Sequence, residues 1–259
     1  QEIYEKMFYA TLESCQKFTE KNKLNIENPL YSMDATTISL ALDVFPWAQY
    51  QKSKGGIKLH TLLNNKTTIP ELIVITNARV PDMVAAREAS LDLPKYSIIT
   101  MDKGYVDLKW FNKLDEKKYF FVTRIKKNMR YKVVKKNKVL DPQIVNDEII
   151  KFSGRWGMKN YPKKIRLVKY HDKEKNKLYS YMTNNLNLSA QKIANIYKSR
   201  WEIETFFRWI KQNLKIKTFF GTSKNAVLSQ IWIAMIYYLL LAFIVHKANV
   251  KMGLLAFTR

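Results

Sequence analysis

The order of apolar, β-branched runs between residues 30 and 126 constrains the fold most strongly. LYSMDATTISLAL (30–42), KGGIKLHTLLN (54–64, opened by a Gly-Gly turn) and PELIVIT (70–76) each read as a strand. Pro81 then sits at the first turn of a helix, PDMVAAREASLDL, which Pro94 closes. KYSIITMD (95–102) is a fourth strand ending at Asp102, with Gly104 marking the turn that leaves it. A helix, VDLKWFNKLDEK, and a fifth strand, YFFVTRIK, follow. Three strands, helix, strand, helix, strand is an α/β pattern. The 259 residues suffice for one large domain or a core with a sizeable insertion. With 47% hydrophobic and 13% aromatic residues, a disordered scaffold is excluded.

Lys and Arg number 45 against 22 Asp and Glu, a net charge of +23 that asks for a polyanionic partner, nucleic acid first. Residues 117–177 hold 20 Lys or Arg and only 5 Asp or Glu, so most of the excess is local. The short β-like runs RYKVVKKNKVL, EIIKFSG, KKIRLVKY and KLYSYMTN, separated by turn residues, predict a basic β-rich insertion over residues 117–184. Its lysines either contact phosphates or guard edge strands against aggregation. Cys15 is the only cysteine, and with three histidines it cannot build a structural zinc site, so any catalytic metal must sit on carboxylates. A lone cysteine suits a reducing cytoplasm. No signal peptide is read near Gln1. The apolar run 231–245 falls short of the roughly 18–20 residues of a bilayer span and predicts a buried helix, with no membrane partner. Residues 1–28 read as a helical tail without a motif.

After Asn184 and Asn185 the segment LSAQKIANIYKSRWEIETFFRWIKQNLKI predicts one helix to about Lys217. At about 100° per residue, Tyr197, Arg200, Glu204 and Lys211 fall within an arc of about 60°. Ile193 shares that stripe and Trp201 and Phe207 flank it, so it faces the protein body, while Glu202 falls on the far side. Charged groups turned inward cost desolvation unless they meet partners. The partners are either counter-charges locking helix to sheet, or strand-borne carboxylates such as Asp34 and Asp102 holding a metal.

The spacing Tyr197, Arg200, Glu204, Lys211 in YKSRWEIETFFRWIK resembles the Tyr-Arg-Glu-Lys signature of a large group of bacterial insertion-sequence transposases with an Asp-Asp-Glu triad. MDATT around Asp34, GIKLH with Lys58 and His60, MDKGY around Asp102, Thr183-Asn184, and FFGTS with the apolar helix behind it agree in order. The resemblance covers residues 30–245. It implies that residues 1–28 are the tail of a truncated N-terminal region, whose DNA-end-binding domain is missing or cut short.

The resemblance also implies a ribonuclease H-like mixed sheet flanked by helices, with residues 29–116 and 185–259 as the catalytic core. The β-rich insertion then precedes the helix of the catalytic Glu. Asp34, Asp102 and Glu204 would be the catalytic, metal-binding triad, holding two Mg²⁺ or Mn²⁺ ions. Tyr197, Arg200, Lys211 and Lys58 would contact DNA. The implied chemistry is phosphodiester hydrolysis and strand transfer at element ends through a hairpin. The implied partner is double-stranded DNA of ends and target, bound by a homodimer at the bacterial nucleoid. Hairpin formation needs an aromatic receiver for a flipped base. Family members place a tryptophan where this chain has Tyr179, and Trp201 and Trp156 in the GRWG turn are further candidates. Competing readings are a non-catalytic DNA-binding remnant and a ribonuclease H-like resolvase or nuclease.

Overall fold

Leu30, Tyr31, Ser32 and Met33 are all buried, although a strand with one covered face would expose every second side chain. They open β1 (Leu30–Leu40), covered on both faces in its first half. The computed structural model describes residues 1–15, 26–213 and 218–248. The expectations for residues 16–25 and for the end of the long helix near Lys217 lie outside these. The chain divides into two compact units, and β1 contributes to both: residues 22–34 and 82–201 form one, residues 1–21, 35–81 and 202–259 the other.

The first unit is built on a mixed sheet. Residues Leu30 to Met33 pair in parallel with β5 (Ile98–Met101), and β5 pairs in parallel with β6 (Phe120–Arg124). From there the sheet turns antiparallel, from β6 to β10 (Lys177–Thr183), β9 (Ile165–Asp172), β8 (Ile144–Phe152) and β7 (Tyr131–Lys136). The basic segment therefore extends the sheet through the β6–β10 pairing. All six residues of β7 are exposed, as expected of a Lys-rich edge strand. Helices α2 (Asp82–Glu88), α3 (Leu108–Glu116), α4 (Arg155–Asn160) and α5 (Ala190–Ser199) complete the unit. Ser189 caps α5 by accepting the Lys192 N–H at 3.2 Å.

Asn184 explains why a Thr-Asn pair closes β10. Its side-chain oxygen accepts the Phe121 N–H, and its amide donates to the Tyr119 carbonyl and the Asp115 carboxylate, each at 2.9 Å. It thus staples the end of β10 to the start of β6 and the end of α3.

Two expectations change here. GRWG is the start of α4 rather than a turn, with Gly154 at φ 83° just ahead of the helix. The segment from Ala190 is two helices, α5 and α6 (Trp201–Asn213), broken at Arg200. The Ser199 hydroxyl donates to the Ile196 carbonyl at 2.8 Å, and the Arg200 N–H turns back to the Tyr197 carbonyl, tightening the last turn.

In the second unit β3 (Lys54–Asn64) pairs antiparallel with β4 (Pro70–Asn77) and with β2 (Gln49–Gln51). Gly55 and Gly56 lie inside β3 and are not its turn. A Cβ there would sit 2.6 Å from the Leu40 carbonyl oxygen and 2.9 Å from that of Ile38, so the close approach of β1 requires glycine. Helices α1 (Glu2–Cys15), α6 from Glu202 onward and α7 (Lys224–Lys247) pack around one apolar core. Phe8 meets Trp232 at 5.3 Å between ring centroids, and Trp209 meets Tyr238 edge-on at 5.0 Å. α7 is longer than the apolar run alone suggested. Residues 224–245, of mean hydropathy 2.1, are long and apolar enough to cross a membrane by length and composition, and half of that stretch is buried. The buried half, including Val227, Ile231, Met235 and Leu239, belongs to the core of this unit.

Candidate active site

Met33 pairs with Met101 in the parallel ladder of β1 and β5, so Asp34 and Asp102 are the next residue out of the same rung. Neighbouring strands run about 4.8 Å apart, which sets the two aspartates side by side just beyond the last parallel pair of β1 and β5, Asp34 inside β1, which continues to Leu40, and Asp102 directly after β5. Taking both as strand-end residues from sequence holds for Asp102 but not for Asp34, because β1 runs on past it to Leu40. The register makes them neighbours. Asp102 caps the short 3₁₀ turn Lys103–Tyr105, its carboxylate accepting the Gly104 N–H and its carbonyl accepting the Thr123 hydroxyl at 3.1 Å.

A Cβ on residue 104 would lie 2.7 Å from the Asp102 carboxylate oxygen. Gly104→Ala should therefore swing that carboxylate off its backbone donor and lower any Asp102-dependent reaction about tenfold or more. The melting temperature should move by only a few degrees, since a surface turn loses one hydrogen bond. Unchanged turnover in the alanine variant would show that the Asp102 position is not critical.

Each carboxylate meets a guanidinium. Arg200 Nη1 lies 2.8 Å from Asp34 Oδ2, and Arg124 Nη2 lies 3.7 Å from Asp102 Oδ2. Both guanidiniums rest against the same ring: Arg200 is 5.9 Å and Arg124 5.7 Å from the Tyr197 centroid. Burial pushes the Tyr197 hydroxyl pKa up, the two guanidiniums oppose that rise and Asp102 adds to it. Tyr197 stacks on Tyr181 at 4.6 Å, and Tyr181 on Tyr179 at 6.0 Å, so a row of tyrosines leads away from the two arginines. Tyr105 is a further buried group near the acids. Its hydroxyl is buried without a hydrogen-bond partner among the described residues. Its pKa is pushed up by burial and then by Asp82, Asp34 and Asp102, with Arg200 opposing.

The remaining residues singled out from sequence have their own surroundings. Lys58 is half-buried and donates to the Val80 carbonyl at 2.9 Å. Glu204 and Lys211 are both half-buried on α6 and, seven residues apart, share a face. Arg200 sits between α5 and α6 with helical dihedrals, φ −54° and ψ −25°. Glu202 lies close enough to Tyr238 for its charge to raise that hydroxyl's pKa, after burial as the main cause. Trp201 is 54% exposed, with Lys175 Nζ 6.0 Å from its ring. Trp156 is 62% exposed. Arg124, Tyr105, Asp82 and Tyr181 were not singled out. Tyr105 lies inside MDKGY, and Arg124 ends the strand next to that of Asp102, so reading strand ends together would have found both.

Asp34 and Asp102 offer adjacent hard oxygen donors, and each already bears a cationic group at its carboxylate. Such a pair fits Mg²⁺ or Mn²⁺, which takes one or two protein carboxylates and leaves its other positions to water or phosphate oxygens. Among the described residues no three His, Cys, Asp or Glu side chains gather around one point.

The family model described as "Transposase DDE domain" matches residues 27–240. "Putative transposase y4zB" of Sinorhizobium fredii is 34% identical over 232 residues, covering 87% of this chain and 64% of that protein. "Probable transposase for insertion sequence element IS5377" of Geobacillus stearothermophilus is 27% identical, covering 100% of this chain and 68% of its own length. The chain thus spans about two thirds of the length of these relatives. The piggyBac transposase in a synaptic complex with hairpin DNA, solved by cryo-EM, aligns with a TM-score of 0.54 at 14% identity, over 90% of this chain and 51% of that one. That likeness carries the fold, a ribonuclease H-like transposase fold with a mixed sheet flanked by helices. With a DDE-domain match across most of its length, the chain belongs to the transposase DDE domain family.

Proposed function

We propose that this chain is the catalytic core of an insertion-sequence transposase of the Tyr-Arg-Glu-Lys subgroup, cutting and joining DNA at element ends. Asp34, Asp102 and Glu204 serve as its acidic triad. The observation that carries the reading is that Asp34 and Asp102 each directly follow the paired residues Met33 and Met101, each with its own arginine. The bound divalent ions, two in this reading, supply Lewis-acid activation of water or a 3′-hydroxyl and charge stabilisation of the leaving oxygen.

The chain's own residues bind and orient. Arg200 can pass from Asp34 to a phosphate oxygen, a geometry guanidinium suits better than ammonium. Lys211 lies seven residues beyond Glu204, about 10.5 Å along α6, and reaches a different phosphate. Lys58 contacts the backbone. The exposed lysines of β7 extend the electrostatic footprint on double-stranded DNA, whose binding is dominated by phosphate contacts. Tyr179, at the outer end of the tyrosine row, or exposed Trp201 receives a base turned out of the stack when the cut end closes into a hairpin. Two copies assemble on DNA at the bacterial nucleoid.

Supercoiled plasmid carrying the parent element's ends is incubated with the protein in Mg²⁺ or in EDTA, and nicked product is followed in a single turnover. Nicking should need Mg²⁺. Glu204→Gln should keep DNA binding within a few-fold and lose nicking, because it keeps its shape and gives up a carboxylate donor. Nicking in EDTA, or full activity of Glu204→Gln, would overturn the assignment in favour of a metal-independent nuclease or a different acid.

A further inference from the structure

The two ion pairs are not equivalent. Arg200 is 2.8 Å from Asp34, and the side chains are 13% and 22% exposed. Arg124 is 3.7 Å from Asp102, at 33% and 35% exposed. Each aspartate already faces a guanidinium, so a divalent ion arriving with both arginines in place would meet like charge beside either carboxylate. One cation has to yield, and the longer, more solvated contact yields at lower cost.

We infer that Arg124 is the resident counter-ion of Asp102 and competes with a divalent cation for that carboxylate, moving aside when the ion binds. Arg124 is then a positioning residue that sets how readily the site loads. Thr123, next to it in β6, anchors the Asp102 carbonyl, so the competition takes place at a fixed backbone. The Tyr197 ring 5.7 Å from the guanidinium gives the displaced charge a resting surface. This inference rests on the metal-dependent reading above.

Mn²⁺ binding to the DNA-free protein, followed by the electron paramagnetic resonance of free Mn²⁺, tests it without any turnover. Arg124→Gln and Arg124→Met should each bind Mn²⁺ about tenfold more tightly than the native chain, within the usual range of site-to-site coupling. Arg124→Lys should restore near-native affinity, because it returns a charge. Asp102→Asn should lose the site. Unchanged or weaker Mn²⁺ binding in both neutral Arg124 variants, with Asp102→Asn still impaired, would overturn the role of Arg124 and leave the metal site standing. Native affinity in Asp102→Asn, or no binding by any form, would overturn both. If the neutral variants unfold while Arg124→Lys folds, the residue is structural and the inference fails.

Discussion

Asp34→Asn and Asp102→Asn should each lower single-turnover nicking of element-end DNA by about a thousandfold or more, equivalent to roughly 4 kcal/mol of activation free energy. Asparagine keeps the shape of the side chain and one carbonyl oxygen, so Asp102→Asn can still accept the Gly104 N–H that fixes the turn. It gives up the negative charge that both an arginine and a divalent ion seek. DNA affinity should hold or rise slightly, because each variant removes a negative charge near bound phosphates. Arg200, only 13% exposed, would be left beside a neutral amide in Asp34→Asn, so this variant should lose more thermal stability than Asp102→Asn, whose arginine is better solvated. Paired nicking and melting measurements separate the effects. Nicking within tenfold of native in either variant, per folded molecule, would remove that aspartate from the chemistry.

The largest effect on stability should come from the basic strands. Arg166 grips Asp147 in a bidentate pair, Nε to Oδ1 at 2.8 Å and Nη2 to Oδ2 at 2.6 Å, with side chains only 7% and 5% exposed. Nη1 also donates to the carbonyls of Leu186 and Leu188. Burial alone would raise the Asp147 pKa, but hydrogen bonds from Arg166 and from the Asn137 amide, with the guanidinium charge, outweigh it and hold the carboxyl below its ordinary range. Arg166→Ala should cost about 3–5 kcal/mol, because it strands a buried charge and two carbonyls. Replacing both partners by apolar residues should cost far less. With the folded pKa depressed, the contribution of Asp147 is fully present above its unfolded value of about 3.9 and disappears as pH falls through the lower folded value. Urea unfolding at pH 7 and pH 3 should therefore show the gap between native and Arg166→Ala narrowing in acid. A gap of equal size at both pH values would contradict the pairing as its source.

The strands were legible because each is a compact apolar run with turn residues beside it. LYSMDATTISLAL, KGGIKLHTLLN and PELIVIT correspond to β1, β3 and β4 to within two residues at their ends. Asp102 was legible for the same reason, since a polar residue after a buried run marks where a strand meets solvent, whereas Asp34 lies inside β1 and was found only through the MDATT motif. The break at Arg200 was not. Helical periodicity is nearly continuous through it, and the local backbone and side-chain bonds that accompany the break, such as that of the Ser199 hydroxyl to the Ile196 carbonyl, leave no mark on a pattern of hydrophobicity. The role of Gly55 and Gly56 was hidden because glycine signals a turn in sequence, whereas here it signals a neighbouring backbone. Arg124 escaped because it sits in a segment so rich in lysine and arginine that one more cation carries no information until strand order singles it out.

β10 keeps step with β9 over seven consecutive residue pairs, from Lys177 opposite Asp172 to Thr183 opposite Arg166, whereas the pairings of β8 with β9 and β7 with β8 each slip once along their length. As sequences drift, the outer strands can gain or lose a residue at those slips and recover. β10 has no such reserve. A single-residue insertion ahead of Tyr179 would turn Tyr179 and Tyr181 to the opposite face of the sheet and dismantle the stack on Tyr197, even with every original amino acid still present. In this strand the spacing is inherited more strictly than the letters, so descendants of this chain should vary in which aromatic fills each place before they vary in how many residues separate the places.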